Sequence, residues 1–335
     1  MSWLYTIVAA LHAHWYIKRR RPLAVPVVVV GNITTGGTGK TPVLIALAKA
    51  LTQKNVQVGI VSRGYGSQAP YYPYTVSLDD TPKVCGDEPL LIARETHCPV
   101  VIGRDRVAAA EQLMANYRVD ILLSDDGLQH HRLSRQIEIV VVDGERGLGN
   151  HLCLPAGPLR EPARRLSRVD WVLVNRTNAR TEQLARADTT GAGTANDNRR
   201  VPVNVSLQAT AWRHVLTDTL YPLMPLPWLE GKLQHAQHQP SIRAIAGIGH
   251  PERFFNTLAQ LDISCETLAF DDHHSYSAED FIGWQDDVVL MTEKDAVKYH
   301  ALSQQHALPA SGWSLVVDID LPQALIDQAY QQAKA

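Results

Sequence analysis

The sequence predicts an α/β protein. A mostly parallel sheet flanked by helices comes first, a smaller C-terminal α/β unit follows, and an amphipathic helix precedes both. Three observations predict this. From Pro26 onward, apolar strand-like runs alternate with helical runs. A glycine-rich turn separates the first apolar strand from a helix. Acidic and polar residues cluster where strand runs end, and that edge of an open parallel sheet is where ligands bind.

Taken in order, Val27–Val30 reads as a buried strand and Pro42–Leu51 as the helix after the turn. "VQVGIVSRGYG" gives a second strand ending at Ser62-Arg63-Gly64. "CPVVIG" is a short strand followed by a helix from Arg106 to Tyr117. "VDILLSDDGLQHH" is a strand that breaks at two aspartates, and "IEIVVVDG" and "VDWVLVNR" are further strands. Residues 178–200 are rich in Ala, Thr, Asp and Asn and read as a surface excursion. "VPVNVSLQATAWRHV" returns to strand-like alternation. A second α/β unit follows in "SIRAIAGIGHPERFFNTLAQL" and "VVLMTEKDAVKY". The expected division is 1–22 for the N-terminal helix, 23–220 for the first unit and 221–335 for the second.

A length of 335 residues accommodates two cores. The net charge of −2 gives no global field to attract nucleic acid, so none is expected as a partner. Four cysteines (Cys85, Cys98, Cys153, Cys265) form no C-x-x-C pair, which argues against a disulfide scaffold or zinc ribbon and fits a reducing compartment.

The N-terminus is an apolar run with Trp3, Trp15 and Tyr16, closed by Lys18-Arg19-Arg20-Arg21; the first acidic residue is Asp79. It falls short of the roughly 20 residues of a spanning helix and is interrupted by His12 and His14. Its charge follows the apolar run, unlike a signal peptide. A helix lying on a membrane surface is expected, with aromatic rings at head-group level and cations on anionic lipid. Packing on the protein's own core is the alternative.

"VVVVGNITTGGTGKTPVLIALAKAL" supplies strand, loop and helix with a Gly39-Lys40-Thr41 ending. The common phosphate-loop pattern has glycine where this chain has Thr34. The expected cradle runs through Thr34, Thr35, Gly36, Gly37, Thr38, Gly39, Lys40 and Thr41. Its glycines let the backbone approach phosphate, Lys40 reaches the β- and γ-phosphates, and the Thr41 hydroxyl ligates Mg²⁺. A GTPase reading fails because Thr292-Glu293-Lys294-Asp295 lacks N-K-x-D spacing. A partitioning-ATPase reading is weakened because Thr35 replaces that class's lysine.

Asp125 and Asp126 follow the strand "ILL" and are expected near the metal, although one of them can cap a helix instead. In "GDEP", Asp87 or Glu88 can orient an acceptor hydroxyl and take its proton; the same residues also suit a helix's first turn. "FDDHHSY" offers His273 or His274 as a partner for such a carboxylate.

The ordered set "VVVGNITTGGTGKTP", "SRGYG", "GDEPLLIA", "RVAAAEQL", "SDDGLQHHRL", "LPAGPLREP", "GIGHPERFF", "DHHSY" and "TEKDAVK" resembles the tetraacyldisaccharide 4'-kinase family. The resemblance extends from about Val25 to Tyr299 and implies a P-loop NTPase-like kinase domain. It implies transfer of the γ-phosphoryl group of ATP, with Mg²⁺, to the 4'-hydroxyl of a tetraacylated glucosamine disaccharide 1-phosphate. The product is lipid IVA of lipid A synthesis, made at the cytoplasmic face of the bacterial inner membrane by a peripheral or monotopic enzyme. On motif positions it implies Asp87 as base, His273 as its partner, Lys40 and Thr41 in the loop, and Asp125 and Asp126 near the metal. The family loop lacks the first glycine, so Thr34 fits it. Arg63, Arg104, Arg106, Arg160 and Arg164 are candidates for the substrate 1-phosphate or the transferred phosphate. The competing reading is a membrane-associated P-loop ATPase switch acting on a protein partner, for which an acceptor-side base has no use.

Overall fold

The computed structural model describes residues 2–20, 22–175, 201–227, 241–309 and 311–335. The excursion expected at 178–200 and Arg21 of the basic cluster lie outside them.

The first sheet is built on Val27–Gly31 (β1), a run of β-branched residues buried on both faces, as a central parallel strand requires. Val28 and Val30 enter one core with Leu44, Leu47 and Leu51 of helix Lys40–Gln53 (α2). Val27 and Val29 enter the opposite core with Val107, Ala110 and Leu113 of helix Arg106–Asn116 (α5). The eight strands are β1, Val58–Ser62 (β2), Tyr74–Thr75 (β3), Val100–Ile102 (β4), Ile121–Asp125 (β5), Ile137–Asp143 (β6), Trp171–Asn175 (β7) and Val203–Val205 (β8). Their order is β3-β4-β2-β5-β1-β6-β7-β8, with only the short β3 antiparallel. α5 starts sharply because the Asp105 carboxylate accepts from the amides of Val107 and Ala108.

Between β3 and β4 the chain forms the short helix Pro82–Cys85 (α3) and helix Asp87–Thr96 (α4), separated by Gly86. The N-terminal helix Ser2–Ile17 (α1) docks on the α5 side: Tyr5 packs on that core and donates to the Arg160 carbonyl at 3.2 Å.

The second sheet has the order β10-β9-β14-β13-β11-β12. Its strands are Leu207–His214 (β9), Leu220–Pro222 (β10), Ile242–Ala246 (β11), Glu266–Ala269 (β12), Val288–Thr292 (β13) and Ser311–Ile319 (β14). Its helices are Pro251–Gln260 (α6) and Glu293–Ser303 (α7); the chain ends in Gln323–Lys334 (α8).

The change of sheet falls near residue 206, upstream of the expected 220/221 division, which lies inside β10. The run "VPVNVSLQATAWRHV", read as strand-like alternation, holds two strands, β8 and β9. Val205 belongs to the first core, whereas Trp212, fully buried, belongs to the second. The chain also returns: Leu325 and Ala329 of α8 pack into the first core beside α2.

Candidate active site

Sheet register brings the polar strand ends together. Val30 at the end of β1 pairs with Asp125 of β5, Gly31 pairs with Val140 of β6, and Asp143 pairs with Asn175 of β7. The polar strand ends therefore surround the glycine-rich loop. Thr34 is buried and bridges Leu159 of "LPAGPLREP", while the Thr35 amide donates to the Pro158 carbonyl at 2.9 Å. A residue serving as a strand bridge needs no glycine, which is the physical reason for Thr34. Gly39 does need to be glycine: its φ is 88°, and a Cβ there would lie 2.3 Å from Asn175 Nδ2. Asn175 in turn donates to the Thr38 carbonyl at 3.2 Å. α2 then starts at Lys40 with its N-terminus toward the loop, favouring an anion there.

A cleft of about 150 Å³ borders the loop, lined by Thr34, Thr35, Thr38, Asp143, Arg146 and Gly147 among others. Two of its lining residues carry a buried polar atom without a protein partner, Thr38 Oγ1 and Asp143 Oδ2, and Asp125 Oδ1 is another at the strand ends beside Val30. Native interiors rarely leave such atoms unpaired, so this edge is shaped for a ligand.

The two aspartates differ. Asp125 is buried, accepts from Ser62 Oγ at 2.9 Å on one oxygen and leaves the other unpaired. Burial and the charges of Glu88 and Asp126 push its pKa up. Asp126 sits in the left-handed region at φ 44° and pairs with Arg160 at 3.1 Å and Lys40 at 3.7 Å. Burial opposes its charge, but Lys40 and Arg160 outweigh burial and hold its pKa below the usual carboxylate range. Thr41 at the start of α2 and Asp125 with its unpaired oxygen are donors of the type Mg²⁺ takes, since it keeps several waters and binds one or two carboxylates.

A second polar cluster is built from α4, the segment after β12 and α7. Asp87 opens α4, preceded by Gly86 at φ 94°, and is 7% exposed. His273 Nδ1 lies 3.0 Å from Asp87 Oδ2 and 3.2 Å from Oδ1. Burial would raise the Asp87 pKa, but the His273 hydrogen bond and the charge of Lys294 bring it below its ordinary value. The Asp87 contact raises the His273 pKa, against burial and Lys294. His273 holds φ 63°, a conformation that costs a β-carbon residue about 1–2 kcal/mol and persists where surroundings impose it. His274 instead faces Asp280 at 3.5 Å.

The glycine-rich loop and this cluster meet at Gly249, in the turn between β11 and α6. A Cβ at Gly249 would lie 2.9 Å from the Gly37 amide nitrogen and 3.2 Å from Asp272 Oδ2. The phosphate loop and the residue preceding His273 therefore touch the same glycine. Close by, Arg253 of α6 reaches Asp143 at 3.2 Å, tying the second sheet to the end of β6.

The family model of tetraacyldisaccharide-1-P 4'-kinase, LpxK, matches residues 1–334. The chain belongs to this family. Relatives agree over most of their length. A tetraacyldisaccharide 4'-kinase of Legionella pneumophila (strain Lens) is 42% identical over 304 residues, covering 90% of this chain and 84% of the relative. That of Alkalilimnicola ehrlichii is 45% identical over 318 residues, covering 94% and 85%. The crystal structure of LpxK from Aquifex aeolicus in complex with ATP has a TM-score of 0.72 at 25% identity and covers 99% of this chain and 96% of that one. The α/β architecture read from the sequence is therefore that of the LpxK family.

Within this LpxK family member the candidate arginines separate. Arg63, Arg104 and Arg164 are exposed. Arg160 is engaged with Asp126. Arg106, a candidate for phosphate binding, is instead buried, and its guanidinium donates to the carbonyls of Gly103 at 2.6 Å and Asp125 at 3.2 Å. That grip braces the end of β5 and takes Arg106 away from a substrate phosphate. The sequence reading missed Asn175, Arg146, Arg253 and Lys294. Asn175 is legible in hindsight as a polar residue ending a buried strand; the others depend on tertiary contacts.

Proposed function

We propose that this chain transfers the γ-phosphoryl group of ATP to the 4'-hydroxyl of a tetraacylated glucosamine disaccharide 1-phosphate, yielding lipid IVA and ADP. The observation that carries this reading is the Asp87–His273 pair, 3.0 Å apart and set against the phosphate loop through Gly249. Phosphoryl transfer has a loose transition state, so positioning and charge neutralisation matter more than base strength. The loop amides and Lys40 hold and neutralise the phosphates. Asp87 accepts a hydrogen bond from the sugar hydroxyl, aims its oxygen at the γ-phosphorus and takes the proton as the P–O bond forms. The bond to the β,γ-bridging oxygen breaks, and ADP departs. Thr41, Asp125 and Asp126 would hold Mg²⁺, which when bound supplies further neutralisation of the phosphate charge.

The enzyme is proposed to act at the cytoplasmic face of the inner membrane, because an acceptor with four acyl chains stays in the bilayer. Among the described residues no helix is long and apolar enough to cross a membrane. α1 suits the surface instead. Val8, Leu11 and Trp15 follow helical spacing along one exposed face, and Lys18, Arg19 and Arg20 continue from its end. A switch protein has no need of a carboxylate–imidazole pair beside the loop, so the kinase reading is favoured.

The test is incubation with γ-labelled ATP, Mg²⁺ and the tetraacyl disaccharide 1-phosphate in mixed micelles. Label in the lipid fraction supports the reading; ATP hydrolysis with unlabelled lipid would sink it.

A further inference from the structure

The motif "TEKDAVK" has no part in the reaction described so far. Thr292 caps α7: its hydroxyl accepts from the Asp295 amide at 3.2 Å and donates to the Asp295 carboxylate at 2.7 Å. Asp295, fully buried, also accepts from the Gly247 amide at 3.1 Å. The first turn of α7 is thus pinned to the end of β11. Lys294, between these residues, is aimed in a fixed direction.

That direction is the Asp87–His273 pair. The Lys294 ammonium lies 3.3 Å from Glu88 Oε1, 3.2 Å from Asp272 Oδ1 and 3.4 Å from His273 Nε2. It is also 3.8 Å from Asp87 Oδ2. An ammonium has three N–H donors and no acceptor. The three partners within hydrogen-bond reach match the three donors. His273 Nε2 facing an ammonium must therefore offer its lone pair, and the imidazole proton then resides on Nδ1, opposite Asp87.

We propose that Lys294 is the positioning residue of the pair: by donating to His273 Nε2 it fixes the neutral imidazole as the Nδ1–H tautomer and keeps Asp87 the free carboxylate that receives the acceptor's proton. The proposal rests on the kinase reading for its catalytic meaning, but the tautomer itself does not. The groups facing His273 are Asp87 from α4, Asp272 from its own loop and Lys294 from α7, with the Tyr65 ring 5.0 Å away. Glu88 stands behind Lys294. Three nearby carboxylates keep the ammonium charged, raising its pKa further against burial. A fixed cation at Nε2 opposes a second proton there. Without it, His273 would take a second proton more readily, and the imidazolium would be held by Asp87.

The test is ¹⁵N NMR of histidine-labelled full-length protein, with His273 assigned by comparison with His273→Gln, beside the pH profile of kcat. The wild type is expected to show a protonated Nδ1 and a bare Nε2 at pH 7.5. Lys294→Met is expected to protonate Nε2 and to move the His273 midpoint and the acid limb of kcat upward by about one pH unit or more. KM for ATP should stay near wild type, and Lys294→Arg should restore most of the profile. A wild-type spectrum with the proton on Nε2 overturns the proposal even if the variants do not fold. So does a folded Lys294→Met protein with an unchanged His273 midpoint and acid limb, or an arginine variant no better than methionine. Absence of lipid transfer in the wild type would defeat the kinase reading while leaving the tautomer measurement decisive for Lys294.

Discussion

Asp87 opens a helix and meets a histidine; the sequence leaves it even between taking a proton and opening a helix. It is both the first residue of α4 and the partner of His273, and the two uses reinforce each other. The positive end of a helix stabilises a carboxylate, as does the imidazole N–H. Asp87→Asn is expected to lower kcat about 10²- to 10³-fold, within the range for a proton-accepting group, while ATP affinity measured by calorimetry stays near wild type. With the Asp87 pKa below its ordinary value, the carboxylate form persists at neutral pH. Taken residue by residue, "GDEP" and "DHHSY" each offer two candidates; the family resemblance singles out Asp87 and His273, and these two are the ones in contact. Thr34 was legible as a departure from the common loop, but its bridge to Leu159, 125 positions away in register terms of the chain, was not.

Among elements, the long strands β1, β5, β6 and β7 and helices α2 and α5 were legible because buried β-branched runs and apolar helical spacing are local signals. β3 and β10 were not: at two and three residues they exist only through pairing with β4 and β9. The β8–β9 break was hidden because both strands alternate alike, and the sheet each joins is decided by what it packs on. Two predictions belong here. Replacing Leu11 and Trp15 of α1 by glutamate is expected to release most of the protein from anionic vesicles in a sedimentation assay; equal sedimentation would refute surface anchoring. Gly249→Ala introduces a Cβ 2.9 Å from the Gly37 nitrogen, so it is expected to push the β11–α6 turn off the loop and raise KM for ATP several-fold. Unchanged KM would show that the contact yields easily.

At the scale of the molecule, the two sheets are also joined by a cluster of charges. Glu95 of α4 is bound by Lys49 of α2 at 2.8 Å and by Arg213 of β9, with Glu293 of α7 nearby. Burial and the charge of Glu95 push the Glu293 pKa from 4.5 to about 8, against Arg213. Between those values the folded protein holds a proton that the unfolded chain has released, so this group's contribution to stability falls as pH rises from about 4.5 to about 8. Glu293→Gln is expected to raise Tm over wild type above pH 8, on the order of 3 °C, with little difference at pH 5. A constant difference across that range would contradict the account. No such junction was visible in the sequence, since its four residues come from four separate elements.

The phosphate loop and the Asp87–His273 pair are proposed to act together on one sugar hydroxyl. This is tested most directly by locating the transferred phosphate in the lipid product by tandem mass spectrometry and ³¹P NMR, with ADP counted in parallel. The expected result is a single new phosphomonoester on the 4'-oxygen and one ADP per lipid phosphorylated. Phosphate at another position, or orthophosphate released with the lipid unchanged, would contradict it.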